Sequence, residues 1–490
     1  MKYKVGERLD LDGELCTLRY IGAIPDWPGQ VAYGVEWDSQ GRGKHSGTLH
    51  GVKYFETSRP DTGSFLKESR VLKTVGITRT LLEALHSRYG EKLLELDEMY
   101  IGSKRLEGYG FEKLTLINND YLNLKVLSLS KLGINRIGSD EDLSNFVTNC
   151  SNVEELDITS NLFIDFGAVI SIASNLRKLR TLDVSNNKFS ITGGFMNQCL
   201  HVKRLIIRHC RLDVTSLRRI LEAFPNLENL DVLDNSIDDI DSVKLPKTLK
   251  TFNVSQNTIK SWQSQSLKGL QTLIAANNII ADIPPDPCPT IRTLDLSYNN
   301  IALWDVVDKF QTVFPNMHDL RINNNIFSSD EEDTDEFYQI IARIPSLTML
   351  EGSILGKDTR REAELYFISK VRSGDISYDC SSIRWKSLLY HHGISDNSTQ
   401  NFSYETLWHD ICVLEVHFEG KQLELHLLNT SSVRLLKNLI AQLLDLDLLA
   451  MSLSYSITPG IVSEFNYEFS PLTTFGIRSD AIVYVNPSDC

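Results

Sequence analysis

The sequence predicts a multidomain α+β protein: a small β-barrel, then an α/β repeat solenoid, then a C-terminal β-grasp domain. Three observations predict it. Glycine is concentrated at the start, one hydrophobic template recurs every 21 to 30 residues through the middle, and the end alternates strand-like and helical runs.

The barrel comes first. Ten of the 28 glycines fall within residues 1–70, and between them lie the runs CTLRYIG, YGVEWD and VKYFET, separated by Gly, Pro, Asp and Ser. This texture fills residues 1–75. A helical stretch follows, TRTLLEALHSRYGEKLLELDEMY, whose Leu81, Leu82, Leu85, Tyr89, Leu93, Leu94 and Leu96 mostly keep a 3.6-residue period. Residues 76–123 are therefore a connector or a cap.

From Leu124 the template LxxLxLxxNxL repeats, with units starting at Leu124, Val153, Leu179, Val202, Leu227, Leu249, Leu270, Ile291, Met317 and, degenerately, Leu347. Segments such as VEELDITSNLF and IRTLDLSYNNI each specify a short strand whose first, fourth and sixth positions enter the core. The recurring Asn161, Asn187, Asn235, Asn257, Asn278, Asn299 and Asn325 sit where the chain leaves the strand, where an amide satisfies buried backbone groups. Cys150, Cys199 and Cys288 take an apolar slot three residues before a unit start, and Cys210 replaces the asparagine itself. All four read as small buried hydrophobes. The amphipathic segment DTRREAELYFISKVR closes the solenoid at about residue 373, as a terminal repeat must be closed.

A less regular linker, 374–409, leads to residues 410–490. There ICVLEVHFEGKQLELHLLNT, SVRLLKNLIAQLL, MSLSYSIT and DAIVYVNP give a hairpin, a helix and later strands in β-grasp order.

Composition excludes several classes. The net charge of −14 argues against a phosphate-backbone partner, since nucleic-acid affinity rests on Lys and Arg neutralising phosphates. The barrel departs from this balance, with 11 Lys and Arg against 10 Asp and Glu, so an acidic partner would meet it first. The longest apolar region, LIAQLLDLDLLAM, is broken by Asp445 and Asp447, so no membrane span is expected. The eight cysteines form no CxxC pair or zinc spacing, and His391-His392, His201, His209 and His318 have no matched nucleophile or ligand set. The reading is of a cytosolic protein with no catalytic residue, no metal and no cofactor.

The sharpest local signal is Gly43-Lys44-His45-Ser46-Gly47, preceded by Tyr33-Gly34-Val35-Glu36-Trp37-Asp38 and followed by Gly51-Val52-Lys53-Tyr54-Phe55 and Gly63-Ser64-Phe65. Glycines let a partner backbone approach, a lysine meets carboxylates, and aromatics receive a planar side chain. The combination resembles the CAP-Gly family, with His45 and Ser46 where that family's loop has Asn and Asp. The resemblance implies a groove for acidic, aromatic carboxyl-terminal tails such as that of α-tubulin. Lys44 would pair with carboxylates, His45 and Ser46 would present the loop between Gly43 and Gly47, and Trp37, Phe55 and Phe65 would line the groove.

The barrel, the leucine-rich repeats and the ubiquitin-like end, in that order, together with the RREAEL run at 360–365, resemble the tubulin-folding cofactor E family over nearly the whole chain. That resemblance implies a tubulin-specific chaperone in the cytoplasm or at the cytoskeleton. It implies capture of α-tubulin and work with cofactors C and D and an Arl-type small GTPase in assembling or dissociating the αβ heterodimer. The ubiquitin-like domain, ending VNPSDC without Gly-Gly, would be a docking module, with the proteasome as one partner. The alternative is a microtubule-binding adaptor that uses only the tail contact; tandem CAP-Gly modules, basic Ser-rich linkers and a coiled coil, which such adaptors carry, are missing from this sequence. On the repeats, Asp157, Asp183, Asp231 and Asp295 form an acidic column broken by Arg208 and Arg321 near Tyr298, the candidate repeat-face contacts. The run DEEDTDE at 330–336 reads as a solvated loop.

Overall fold

The computed structural model describes residues 3–90, 100–101, 104–105, 123–327, 333–394, 411–448, 451–457, 461–477 and 481–487. Leu93, Leu94 and Leu96 of the connector, the linker from 395 onward, the first part of the acidic run and the last three residues of VNPSDC lie outside the described residues. The described residues divide into two compact units, 1–384 and 385–490.

The first unit opens with an antiparallel sheet ordered β1 (Arg8–Leu11), β2 (Glu14–Gly22), β3 (Ala32–Trp37), then β6 (Gly63–Lys67), with the small hairpin β4 (Thr48–Leu49) and β5 (Val52–Lys53) beside it. Helix α1 (Glu68–Thr74) closes one side by burying Val71. Leu9, Cys16, Leu18, Tyr33, Val35, Trp37 and Leu66 form the barrel core.

The described start of the connector, residues 76–90, packs against the first repeats. Thr80 opens the helix Leu81–Tyr89 with a capping box: its hydroxyl accepts from the Glu83 amide, and the Glu83 carboxylate accepts from the Thr80 amide. Arg79–Thr80 pairs in parallel with Ile134–Arg136, and Leu81, Ala84 and Leu85 join the core of the first repeats.

Each of the ten expected units contributes a strand that starts two residues after the unit start, from Val126–Ser128 to Met349–Leu350. These ten strands run parallel in sequence order, and an eleventh, Ser353–Ile354, closes the sheet antiparallel. The period-two pleat explains the template: in Glu155–Asp157, Leu156 points inward while its neighbours point out. The ladder asparagines behave alike. The Asn161 amide donates to the Leu129 and Ile158 carbonyls, and its oxygen accepts from the Leu132 and Ile134 amides, so one side chain stitches two turns together. Burial pushes the Cys150, Cys199 and Cys210 thiols up to about 12, in keeping with inert core positions.

The helix Lys357–Ser373 covers the last repeat, burying Ala363, Phe367 and Ile368. Here the RREAEL run is structural: Arg360 donates to the Ile341 and Leu347 carbonyls, and Glu364 accepts from Arg384 at 2.8 Å. Part of the expected linker is also ordered, since IRWKSLLYH places Trp385, Leu388 and Leu389 on one buried face of the helix Ile383–His391.

The second unit holds a five-stranded mixed sheet. Ile411–Phe418 is flanked by Lys421–Leu428 (antiparallel) and Ala481–Pro487 (parallel), with Met451–Ser456 and Ser463–Glu464 beyond the latter. The helix Val433–Leu444, capped by the Ser432 hydroxyl, packs Val433, Leu436 and Ile440 into the same core as Leu414 and Val483. Among the described residues, no helix is long and apolar enough to cross a membrane.

Candidate functional site

The alternation of β3 organises the barrel surface. Tyr33, Val35 and Trp37 enter the core, and Gly34 and Glu36 lie on the opposite face. Trp37 therefore does not line a groove, contrary to the sequence expectation. It is 2 % exposed, its indole N–H donates to the Ser64 hydroxyl at 3.1 Å, and the Arg42 guanidinium stacks over its ring. The strand period, which alternates faces regardless of residue type, decides this.

Gly34 lies beneath an aromatic cluster whose Phe55, expected to line the groove, is only 7 % exposed and packs into the cluster's interior. A Cβ on Gly34 would lie 2.5 Å from Phe55 Cε1 and 2.9 Å from Tyr20 Cβ, so only glycine lets the rings settle against the strand. Phe65 is the hub of the cluster, with ring centroids 5.1 Å from His45, 5.4 Å from Phe55, 5.5 Å from Tyr54 and 6.1 Å from Tyr20. Most of these contacts are edge-to-face, the arrangement that aromatic quadrupoles prefer.

The Gly43–Gly47 loop is fixed to β6. Lys44 and His45 amides donate to the Gly63 carbonyl, the Gly63 amide donates to the His45 carbonyl at 2.7 Å, and Ser46 Oγ accepts from the Asp61 amide at 3.0 Å. Gly47 has φ +95°, and a Cβ there would meet the Phe55 carbonyl oxygen at 2.2 Å. His45 Nδ1 accepts from the Gly47 amide at 3.0 Å. Burial lowers the His45 pKa, an effect only partly offset by the Asp61 carboxylate, so the ring is neutral at neutral pH and serves as an acceptor. Lys44 and Ser46 are exposed, which leaves Lys44 as the loop's cation.

Residues outside the sequence expectation extend this surface. Phe65 also lines a cavity of about 410 Å³ with Trp27, Leu66, Lys67, Ser69, Arg70, Lys73 and Thr74, and the Lys67 ammonium sits 5.4 Å from the Trp27 ring centroid. Three cations thus stand beside the aromatic cluster. The signal was present in GSFLKESRVLK: the strand period puts Phe65 and Lys67 on one face, and Lys67, Arg70 and Lys73 recur at a helical spacing of three.

Two residues beyond Gly34, on the same face of β3, Glu36 meets the solenoid. Its carboxylate is fully buried and accepts from Arg19 at 2.8 Å, from the Ser58 amide and hydroxyl, and from Arg211 of the fourth repeat. Arg211 also donates to the Trp37 carbonyl at 3.2 Å. A second contact joins Arg59 to Asp234 at 2.6 Å, and His209 Nδ1 holds the other Asp234 oxygen at 2.6 Å. Arg8 pairs with Asp38 at the same junction. Between barrel and repeats lies a polar cleft of about 590 Å³, lined by Asp38, Gln40, Arg59, His209, Asp234, Gln256, Asn257 and Asn277.

The candidate repeat-face residues separate. Tyr298 is 57 % exposed in a left-handed turn, and its amide donates to the Asn323 carbonyl of the next repeat, which also carries Arg321. Arg208 is five strands from Arg321, or about 24 Å at ordinary strand spacing. It is already engaged, with Nε and Nη2 on Asp231 at 2.9 and 2.6 Å. Among the described residues no group of His, Cys, Asp and Glu is placed to hold a metal ion.

Comparison with known proteins agrees with this layout. The CAP-Gly domain model matches residues 5–71, and the Leucine Rich Repeat model matches residues 178–198. Protein PAC2 of Saccharomyces cerevisiae is 32% identical over 99% of this chain and 97% of its own length. Tubulin-specific chaperone E of Xenopus laevis is 31% identical over 73% of this chain and 70% of its own, and that of Bos taurus 26% over 97% of both.

Proposed function

The chain belongs to the tubulin-specific chaperone E and PAC2 family, and from that premise we propose that it is a non-enzymatic chaperone that captures α-tubulin. The observation that carries this reading is the groove itself. Phe65, packed on Phe55 and Gly34, belongs both to the aromatic cluster and to the cavity lined by Lys67, Arg70 and Lys73, and exposed Lys44 sits on the loop tied to β6. An acidic peptide ending in an aromatic residue satisfies both features, with carboxylates on the ammonium and guanidinium groups and the ring on the aromatic cluster.

The groove and the repeat face give two contacts on one partner. If binding to α-tubulin alone is tighter than binding to the heterodimer, mass action draws the dimer apart without an active site. In this reading Tyr298 and Arg321 belong to the repeat contact, and cofactors C and D and an Arl-type GTPase act on the same complex in the cytoplasm. The ubiquitin-like unit is a docking module for other partners, the proteasome among them. Size-exclusion chromatography with intact tubulin dimer tests the proposal. A peak holding this protein with α-tubulin and without β-tubulin supports a dimer-opening chaperone, whereas co-elution with intact dimer supports the adaptor reading.

A further inference from the structure

The barrel is not a tethered module: it is seated on the solenoid by two sets of charged contacts, and one of them lies two residues from Gly34 in β3. Glu36 and Gly34 share a face of β3, so about 7 Å of strand separates the solenoid contact from the aromatic rings. A shift at Glu36 of a few ångströms would move the groove by a comparable amount, because both ride on one hydrogen-bonded strand.

The solenoid supplies its half of this contact through a departure from its own repeat. In the units that keep the ladder asparagine, the residue before it is left-handed, as at Ser160, Asn186, Asp234, Gln256, Asn277, Tyr298 and Asn324, and the chain then returns to ordinary backbone. Three units lack the asparagine, with Leu132, Cys210 and, in the degenerate last unit, Leu355 in its slot. After Leu132 and Cys210 the following residue is left-handed as well, Gly133 at φ +68° and Arg211 at φ +58°, whereas Gly356 after Leu355 is extended at φ −70°. Glycine adopts that conformation freely, but a non-glycine residue holds it only under constraint from its surroundings. At Arg211 the constraint is visible: its side chain is 13 % exposed and bonded to the Glu36 carboxylate and the Trp37 carbonyl. The fourth repeat has lost its ladder amide and carries a strained arginine aimed at the barrel.

We propose that Arg211 and Asp234 are positioning residues: they fix the barrel at one orientation on the solenoid, so that the tail groove and the repeat face engage a single folded partner together. The proposal rests on the groove binding an acidic tail. It goes further in assigning to the repeats a role toward the groove that requires no contact with the tail. A fixed barrel spares the orientational freedom that a flexible tether loses on binding, so the second contact forms at high effective concentration. The open polar cleft along Gln256 and Asn277 is part of the same arrangement, because it exists only while the barrel is seated.

The test uses the full chain and two ligands: an acidic, aromatic-ended tail peptide, and the folded tubulin dimer. Arg211→Glu sets like charge against Glu36, and Asp234→Asn removes the charge of the second contact, leaving at most a neutral acceptor for Arg59, while keeping a residue type that tolerates the left-handed turn. Both variants are expected to bind the peptide within twofold of the parent and the folded dimer at least tenfold more weakly, with the larger loss in the double variant. Small-angle scattering should show a larger radius of gyration, and retention of the parental melting transition in Asp234→Asn separates loss of seating from loss of folding. Unchanged dimer affinity overturns the proposal. So does a parallel loss for peptide and dimer, which would make these residues part of the groove's own shape. If the parent fails to bind the peptide, the tail reading fails, and the change in radius of gyration still decides whether the two residues seat the barrel.

Discussion

Glu36 and Arg211 stand 175 positions apart in the sequence and meet as an ion pair in which the carboxylate is wholly buried and the guanidinium 13 % exposed. Removing one partner of such a pair strands the other in a low dielectric, at a cost of about 3–5 kcal/mol. Here Arg19 and Ser58 still engage Glu36, which lowers that cost. Arg211→Ala is therefore expected to destabilise the seated state by about 1–3 kcal/mol, at the scale of a charged hydrogen bond. Differential scanning calorimetry of the full-length parent and variant checks this.

The seating contact has an acid limit. Burial raises the Glu36 pKa, but the Ser58 hydrogen bond and the charges of Arg211 and Arg19 outweigh it and hold the group below its ordinary value. For Asp234, burial likewise raises the pKa, and His209 and Arg59 bring it below the ordinary value. Groups with depressed folded pKa values stabilise the folded form above their unfolded values, and that contribution is lost as pH falls through the folded ones. Scattering profiles should stay constant down to about pH 4.5, the ordinary glutamate range, and expand only below it. Expansion beginning near pH 6 would contradict this assignment.

Lys188 sets the alkaline side. Burial lowers its pKa to about 8, with Asp38 and Cys210 opposing the fall and Arg211 and Arg8 adding to it. The charged form is disfavoured in the folded chain, so folding releases a proton between pH 8 and the ordinary lysine value of 10.5. The fold should strengthen as pH rises across that window through this group, with the penalty fully present below pH 8. Lys188→Met should stabilise the chain at neutral pH and flatten the dependence, as read by thermal melting at pH 7 and 9.

Lys44 is exposed, so its ammonium adds little to the fold, and under the proposed function it acts on whatever enters the groove. Lys44→Ala should weaken tail-peptide binding about tenfold, in line with about 1.4 kcal/mol for a charge-assisted contact in a partly desolvated groove. The melting temperature should move by less than about 1 °C, since exposed charges contribute little. Isothermal titration at two salt concentrations tests both parts, and unchanged affinity would remove Lys44 from the site.

The repeat lattice was legible because a solenoid's contacts are local: each core position is fixed within its own 21 to 30 residues, and all ten strand starts follow from the template. The loop Gly43–Gly47 was legible for the same reason, being a short motif whose glycines answer to backbone geometry. Trp37 misled because composition says nothing of face, whereas counting two by two from Tyr33 puts it in the core. Trp27, Lys67, Arg70 and Lys73 converge only after β6 and α1 fold against the loop before β3. The Glu36–Arg211 contact joins distant positions and has no local pattern; its one trace in the sequence is Cys210 standing where the lattice expects asparagine.

Cys210→Asn tests whether that trace is causal. The amide is larger than the thiol, but the slot is lined by the same kind of backbone groups that Asn187 and Asn235 bond in the neighbouring repeats, and Cys210 Sγ already faces the Val184 carbonyl. An amide there would donate to the Val184 and Ile207 carbonyls as its relatives do, and would favour ordinary backbone at position 211, as it does after every other ladder asparagine. Relief of a left-handed arginine is worth about 1 kcal/mol, and new buried hydrogen bonds add a similar amount. The solenoid should therefore melt higher while Arg211 turns away from Glu36. The expected result is a pairing that a purely structural cysteine could not produce: raised thermal stability together with a larger radius of gyration and weaker binding of the folded dimer, at unchanged affinity for the tail peptide. Higher stability with the barrel still seated would show that the left-handed turn at Arg211 is held by Glu36 alone and owes nothing to the missing asparagine.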